Sequence, residues 1–322
     1  MLVDGAGAEE DAAEVVEMDL YRILQGAVYF LMAMLGSVTN FSILFYFCLT
    51  SSNKGKALLP EVIMSHIAGS NLVVFVTRAL PSSLSAFGFR DLFTDRDCKV
   101  ILLMYRTCRG AVIGLTCLLS CYQGIVISSS SPKWMYLRTQ LQKYLTTIIY
   151  VCYLMNMASN LDTVYYAFSI SNVTMLQYAY NLKYCFVTYP NKVLFEVMGL
   201  LNFVQDLFSV MVMATASGYI LLVLYQHKKV VRSLRHPDQQ TGRTAESQAT
   251  TTVITLVTLY LTFYGIENAI WLYQTVSNEI LTVVTDVRIF FTMSYSFVFP
   301  IVTLAFNPKL RSKMKQLRNR HE

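Results

Sequence analysis

The chain has 322 residues, 54% hydrophobic and 14% charged, with a mean hydropathy of +0.44. A soluble domain is roughly 45–50% apolar and about 25% charged, so a soluble enzyme of this length is excluded. The same composition excludes a disordered chain and a disulfide-dense secreted fold. A polytopic membrane protein remains.

The first 20 residues are acidic (Asp4, Glu9, Glu10, Asp11, Glu14, Glu17, Asp19). With no basic start and no hydrophobic run, they read as a solvated extracellular tail, not a signal peptide. A spanning helix needs about 20 mostly apolar residues. No charge falls between Arg22 and Lys54, Arg109 and Lys133, or Lys143 and Asp162. None falls between Asp206 and His227, Glu246 and Glu267, or Arg288 and Lys309. These gaps carry helices one, three, four, five, six and seven; helix two runs from Pro60 to about Ala86. The expected fold is an all-α membrane protein, a seven-transmembrane helix bundle over residues 21–306. It lies between the extracellular tail of residues 1–20 and a basic cytoplasmic tail of residues 307–322. Strands of a membrane barrel would alternate every second residue, and these runs do not.

With the N-terminus outside, the inner loops and tail hold sixteen Lys and Arg against six on the outer side. The positive-inside rule therefore places the N-terminus outside and the C-terminus inside. The tail segment Lys309–Arg320 has the amphipathic character of a short eighth helix lying on the membrane.

Five of the seven cysteines (Cys48, Cys108, Cys117, Cys121, Cys152) fall inside apolar helices and read as packed thiols. Cys98, at the outer start of helix three, and Cys185, in the second outer loop, face the oxidising side, so a disulfide is favoured. The same loop holds the N-glycosylation sequon Asn172-Val173-Thr174. No zinc spacing, phosphate-cradling glycine loop, nucleophile elbow or internal repeat appears. The reading is therefore against an enzyme, a metal site, a cofactor or a nucleic-acid partner.

The outer cysteine pair on a seven-helix bundle resembles rhodopsin-like G-protein-coupled receptors, but the inner motifs depart from that pattern. The Asp-Arg-Tyr arginine of helix three is replaced by Gln123, in Tyr122-Gln123-Gly124, and the helix-two aspartate by Asn71. Helix seven ends Phe299-Pro300-Ile301-Val302-Thr303 and contains no Lys, so no retinal Schiff base can form there. Leu59-Pro60-Glu61, His66-Ile67-Ala68, Arg109-Gly110, Thr116-Cys117-Leu118-Leu119-Ser120, Ser131-Pro132 and Phe306-Asn307-Pro308-Lys309 together resemble the vomeronasal type-1 receptors. The stretch from Tyr264-Gly265 to Trp271 is similar to their fish branch, the olfactory receptors related to class A. The resemblance spans residues from about 22 to 317. It implies a chemosensory receptor in the plasma membrane of sensory cilia or microvilli. Such a receptor binds a small odorant or pheromone and activates a heterotrimeric G protein.

Charges inside a bilayer are costly and face the bundle interior. Arg106 and Arg109, three apart, share a face of helix three. Arg109 lies about 16 Å below Cys98 at 1.5 Å per residue. Glu267 reaches a comparable depth on helix six, and Tyr105 adjoins Arg106. These residues and Asp206 are the candidate ligand contacts. A guanidinium suits carboxylates and sulfates, so the ligand's expected charge is negative. The competing reading is an Arg109–Glu267 ion pair that only locks helices three and six. Asp162, Glu196, Asp286 and Arg288 are weaker candidates, with Arg78 on helix two as an available partner in structural pairing. Asn40, Asn71 and Gln123 are assigned to an inner polar switch. Lys228, Lys229, Arg232 and Trp134 are assigned to G-protein contact. A bitter-taste-like receptor is the alternative, though such receptors usually lack the cysteine pair. A small transporter would need repeats or a charged pore that the sequence does not show.

Overall fold

The computed structural model describes residues 4–54, 58–89, 91–128, 132–169, 179–234, 245–277 and 282–306. Among them run seven long helices: α1 (Asp4–Lys54), α2 (Leu59–Ala86), α3 (Asp95–Ile127), α4 (Pro132–Ser159), α5 (Lys192–Leu234), α6 (Ala245–Ser277) and α7 (Thr282–Phe306). α1 begins well before Arg22, so the backbone of the acidic segment is helical rather than an open tail. Its Ala- and Glu-rich composition is that of a good helix former. Residues 307–322, and with them the expected eighth helix, lie outside the described residues.

Among the described residues, five helices are long and apolar enough to cross a bilayer: Met18–Leu49, Leu59–Ala86, Asp95–Ile127, Lys192–Val223 and Val283–Ala305. α6 carries a shorter apolar stretch, Ile254–Ile270, closed by Glu267 and Asn268 near its end. α4 is diluted by Lys133, Arg138, Gln140, Gln142 and Lys143 in its first half. Large apolar side chains cover the outside of the bundle. On α5, Leu200, Leu201, Val204, Phe208 and Met211 are all more than half exposed. They recur at helical spacing on one face, as expected for a surface solvated by lipid.

Local chemistry sets the helix ends. Thr94 caps α3: its hydroxyl accepts the Asp97 N–H, and the Asp97 carboxylate accepts the Thr94 N–H at 2.9 Å. Pro60 opens α2, and Glu61 accepts the Leu58 N–H. Two prolines inside helices have long-range consequences. Proline has no N–H for the carbonyl four residues back. Before Pro81, α2 widens over Phe75–Ala79, where the Leu80 N–H reaches back to the Phe75 carbonyl. The Thr77 carbonyl, four before Pro81, accepts the Tyr184 hydroxyl at 2.8 Å. In α7 the Ser296 carbonyl, four before Pro300, accepts the Asn40 Nδ2 at 3.1 Å. Both carbonyls are thus satisfied by side chains of other elements.

α3 is the central helix and packs on α2, α4, α5 and α6. The main core surrounds its inner half, where Ile63, Ile67, Leu115, Leu119, Ile149, Met213 and Phe299 are almost fully buried. A second core closes the end of the bundle at which α3 begins, labelled outer after the sequence expectation. There α4 leads through a short helix, Asp162–Tyr166, into an antiparallel sheet of β1 (Ala167–Ser169), β2 (Ala179–Asn181) and β3 (Cys185–Thr188), in the order β1-β3-β2. Ala167 faces Val187 in one pair, and Tyr180 faces Val187 in the other. Cys185 is joined to Cys98 with Cα atoms 5.8 Å apart, which pins this sheet to the top of α3.

The other five thiols differ from the expectation of packed cysteines. Cys108, Cys117, Cys121 and Cys152 are only partly buried, and Cys48 is exposed on the outer surface of α1. An exposed thiol in an apolar stretch of a membrane helix faces lipid, so an apolar position need not be a packed one.

Candidate functional site

The outer sheet, α2, α3, α4, α5, α6 and α7 enclose a cavity of about 140 Å³. Its wall includes Tyr105, Arg106, Arg109, Asp206 and Glu267, so the five residues singled out on sequence meet at one place. A smaller cavity of about 30 Å³ lies against Arg109 and Glu267, bounded by Val112, Tyr260 and Tyr295.

Arg109 divides its guanidinium between two helices. Nη1 donates to Asp206 of α5 at 3.0 Å, and Nη2 donates to Glu267 of α6 at 3.1 Å. The expected pair with Glu267 is present, and Asp206 completes it as a three-helix clasp. Two carboxylates on one guanidinium are held only where desolvation is offset by directed, charge-assisted bonds. Arg106, one turn toward the outer face, donates to Asp162 and Thr163, each at 3.2 Å. The Tyr189 hydroxyl donates to the same Asp162 oxygen at 2.5 Å. Burial raises the Tyr189 phenol above its usual range despite nearby Arg106, so the hydroxyl keeps its proton and acts as a donor.

Gly110 also lines the cavity. A Cβ there would run into the Asn156 side chain, so the bare backbone lets α3 and α4 approach. Asn156 is itself fixed, donating to the Cys152 carbonyl and accepting from Gln205 of α5.

Asp286 and Arg78 do not meet. Lys183, at the β2–β3 turn with φ 73°, forms an ion pair with Asp286 and donates to Gln25 of α1 at 2.8 Å. The outer sheet is thereby tied to α7 and α1. This loop lysine belongs to the same sheet that the Cys98–Cys185 bond ties to α3. Sequence spacing between helices carried no sign of that contact. Arg78 instead lies between two rings, 5.3 Å from the Tyr105 centroid and 5.8 Å from that of Tyr184. Arg78 and Arg288 both line the cavity. The sequence signal for both was a charge within an apolar segment. Tyr180, Tyr189, Asn160 and Asn202 also line the wall; no sequence pattern set these polar and aromatic residues apart.

Below the cavity, Asn71 Nδ2 donates to Asn40 Oδ1 at 3.3 Å, and Asn40 reaches the Ser296 carbonyl, joining α1, α2 and α7. Gln123 is buried on α3 and shares no hydrogen bond with that pair among the described residues. Trp134 is about a third exposed, 6.5 Å ring to ring from Tyr219, whose hydroxyl meets Ser128 at 2.6 Å. Lys228, Lys229 and Arg232 lie on the last turns of α5, but their side chains are outside the described residues, as is Asn172. Among the described residues no cluster of His, Cys, Asp or Glu could hold a metal ion.

Comparison with known proteins gives this geometry a family. The family model of the vomeronasal organ pheromone receptors matches residues 24–315. Olfactory receptor class A-like protein 1 of Danio rerio is 30% identical over 298 residues, covering 92% of this chain and 93% of that protein. Human vomeronasal type-1 receptor 3 is 25% identical over 233 residues, covering 72% and 75%. Human vomeronasal type-1 receptor 1 is 24% identical over 261 residues, covering 81% and 73%. This chain, a multi-pass membrane protein, belongs to the vomeronasal organ pheromone receptor family.

Proposed function

We propose that the protein is a chemosensory G-protein-coupled receptor that binds a small molecule in the outer cavity. The observation that carries this reading is the Arg109 clasp, which joins α3, α5 and α6 at the cavity wall. A ligand that competes for Arg109, Asp206 or Glu267 changes the relative stability of two helix packings. That differential contact is what a ligand-driven switch requires. Tyr105 and Arg106 are the remaining contacts of the sequence reading on the same wall.

In this reading the N-terminus faces outside, seven helices span the plasma membrane of a sensory cell, and the basic inner loops face an anionic leaflet. A heterotrimeric G protein docks on the inner face through Trp134, Lys228, Lys229 and Arg232. The Asn40–Asn71 pair and Gln123 lie between cavity and inner face as switching residues. The names of the similar proteins, olfactory and vomeronasal receptors, support an odorant or pheromone as the ligand.

The test is a second-messenger assay in cells carrying the chain and a promiscuous G protein, with panels of small acids, amines and neutral compounds. A saturable response, lost in Arg109→Ala while surface expression survives, is expected. Unchanged potency in that variant, or silence to every panel with the receptor at the surface, refutes the reading.

A further inference from the structure

Four arginines, Arg78, Arg106, Arg109 and Arg288, line the same cavity. Two of the four are neutralised: Arg106 holds Asp162, and Arg109 holds Asp206 and Glu267. Arg78 and Arg288 have no carboxylate within ion-pair distance among the described residues.

Arg78 is the more telling of the two. It is 7% exposed, and its Nε and Nη1 have no hydrogen-bond partner among the described residues. Tyr105 and Tyr184 lie near its guanidinium. Ring faces offset part of the cost of burying a cation, but they leave Nε and Nη1 unanswered. A buried guanidinium without an anion is among the costliest groups a fold can hold. Arg78 sits on the widened turn Phe75–Ala79, a backbone irregularity that recurs at functional sites. Arg288 of α7 lines the same cavity, so two cations face it without a carboxylate at ion-pair distance among the described residues.

We propose that Arg78, assisted by Arg288, is the subsite for the oxyanion of a small organic acid, a carboxylate or a sulfate. The inference rests on the small-molecule reading above and names the ligand's chemistry. It also moves the anion site away from Arg106 and Arg109, whose charges are already met. The planar fork of a guanidinium accepts two oxygens of one carboxylate or sulfate. The cavity volume, about 140 Å³, is close to the roughly 150 Å³ of an engineered cavity that admits benzene. A single aromatic ring bearing the acid is therefore the size of probe to use.

The experiment is thermal melting of the purified full-length receptor against benzoate, phenyl sulfate, benzamide, benzylamine and sodium chloride. Ligands that bind only the folded state raise the melting temperature. Benzoate and phenyl sulfate are expected to do so, and the difference between them reports which head group fits; benzamide, benzylamine and chloride are expected not to. Arg78→Gln is expected to weaken the two acids about ten- to hundredfold, the range for a lost charge-assisted bond. Arg288→Gln is expected to weaken them less. Asp19→Asn, at an exposed position outside the cavity wall, leaves both unchanged. Should Arg78→Gln fail to fold, Arg78→Lys serves, since it keeps the charge, loses the fork and still weakens both acids. No shift from either acid, or a shift retained in the Arg78 variants, overturns the proposal. A shift from benzamide or benzylamine without one from the acids overturns it while sparing the small-molecule reading. No shift from any organic probe counts against both.

Discussion

Arg109 and Glu267 stand 3.1 Å apart across α3 and α6, and the same guanidinium holds Asp206 of α5 at 3.0 Å. One arginine thus neutralises two carboxylates, and the two sides of the clasp are not equivalent. Arg109→Ala leaves Asp206 and Glu267 facing each other without a cation, a loss of about 3–5 kcal/mol. Glu267→Gln leaves Arg109 paired with Asp206 and should cost about 1–2 kcal/mol. Melting of the purified proteins should rank Arg109→Ala well below Glu267→Gln. Equal melting temperatures would mean that Asp206 contributes nothing to the clasp.

The Cys98–Cys185 bond closes a loop of sequence separation 87. Cross-links of that reach stabilise by about 2–5 kcal/mol, chiefly through the unfolded chain. The double variant Cys98→Ser/Cys185→Ser should melt correspondingly lower. It should also lose ligand response out of proportion to its surface expression, because Tyr180, Leu182 and Tyr189 of the outer sheet region line the cavity. Measuring both quantities on the same cells separates folding from sheet placement; a response that tracks expression would show that the sheet holds its position without the bond.

Gly110 is required by the neighbour, not by its own backbone. Gly110→Ala should destabilise by about 1–3 kcal/mol through overpacking against Asn156. The rescue is specific: Asn156→Ala opens the space, and the double variant should regain part of the loss. A double-mutant cycle with no coupling would place the strain elsewhere.

Asn40 supplies the donor for the Ser296 carbonyl that Pro300 leaves without a helical partner. Asn40→Ala removes that donor and strands Asn71 as well, so a cost of about 1–3 kcal/mol is expected. Adding Pro300→Ala restores the α7 ladder bond and should return part of the stability, which chemical denaturation of the pair can measure. If the proline variant worsens the asparagine variant, the Ser296 carbonyl is not the group at issue.

Much was legible in the sequence, for physical reasons. Gaps between charges marked the long helices because a bilayer excludes charge. The cysteines on either side of a helix pair declared the disulfide because two intervening spans return the chain to the same end of the bundle. Arg106 and Arg109 declared themselves as neighbours because the helix period fixes that relation within one element. The start of α1 was not legible, since an Ala- and Glu-rich run serves equally as a tail or as a helix.

Pairings between elements were decided by tertiary structure. Arg106 and Asp162, Arg109 and Asp206, and Lys183 and Asp286 lie 56, 97 and 103 positions apart in the chain. Periodicity fixes which face a residue occupies, but not which helix stands opposite. Lys183 meets Asp286 from the sheet that the disulfide ties to α3, while Arg78 lies near two tyrosine rings. The sequence by itself determined that charges lie within apolar segments, because a bilayer helix confines them to its interior face; only the packing of the helices decided which of them meet a carboxylate and which, like Arg78 and Arg288, meet none within ion-pair distance among the described residues.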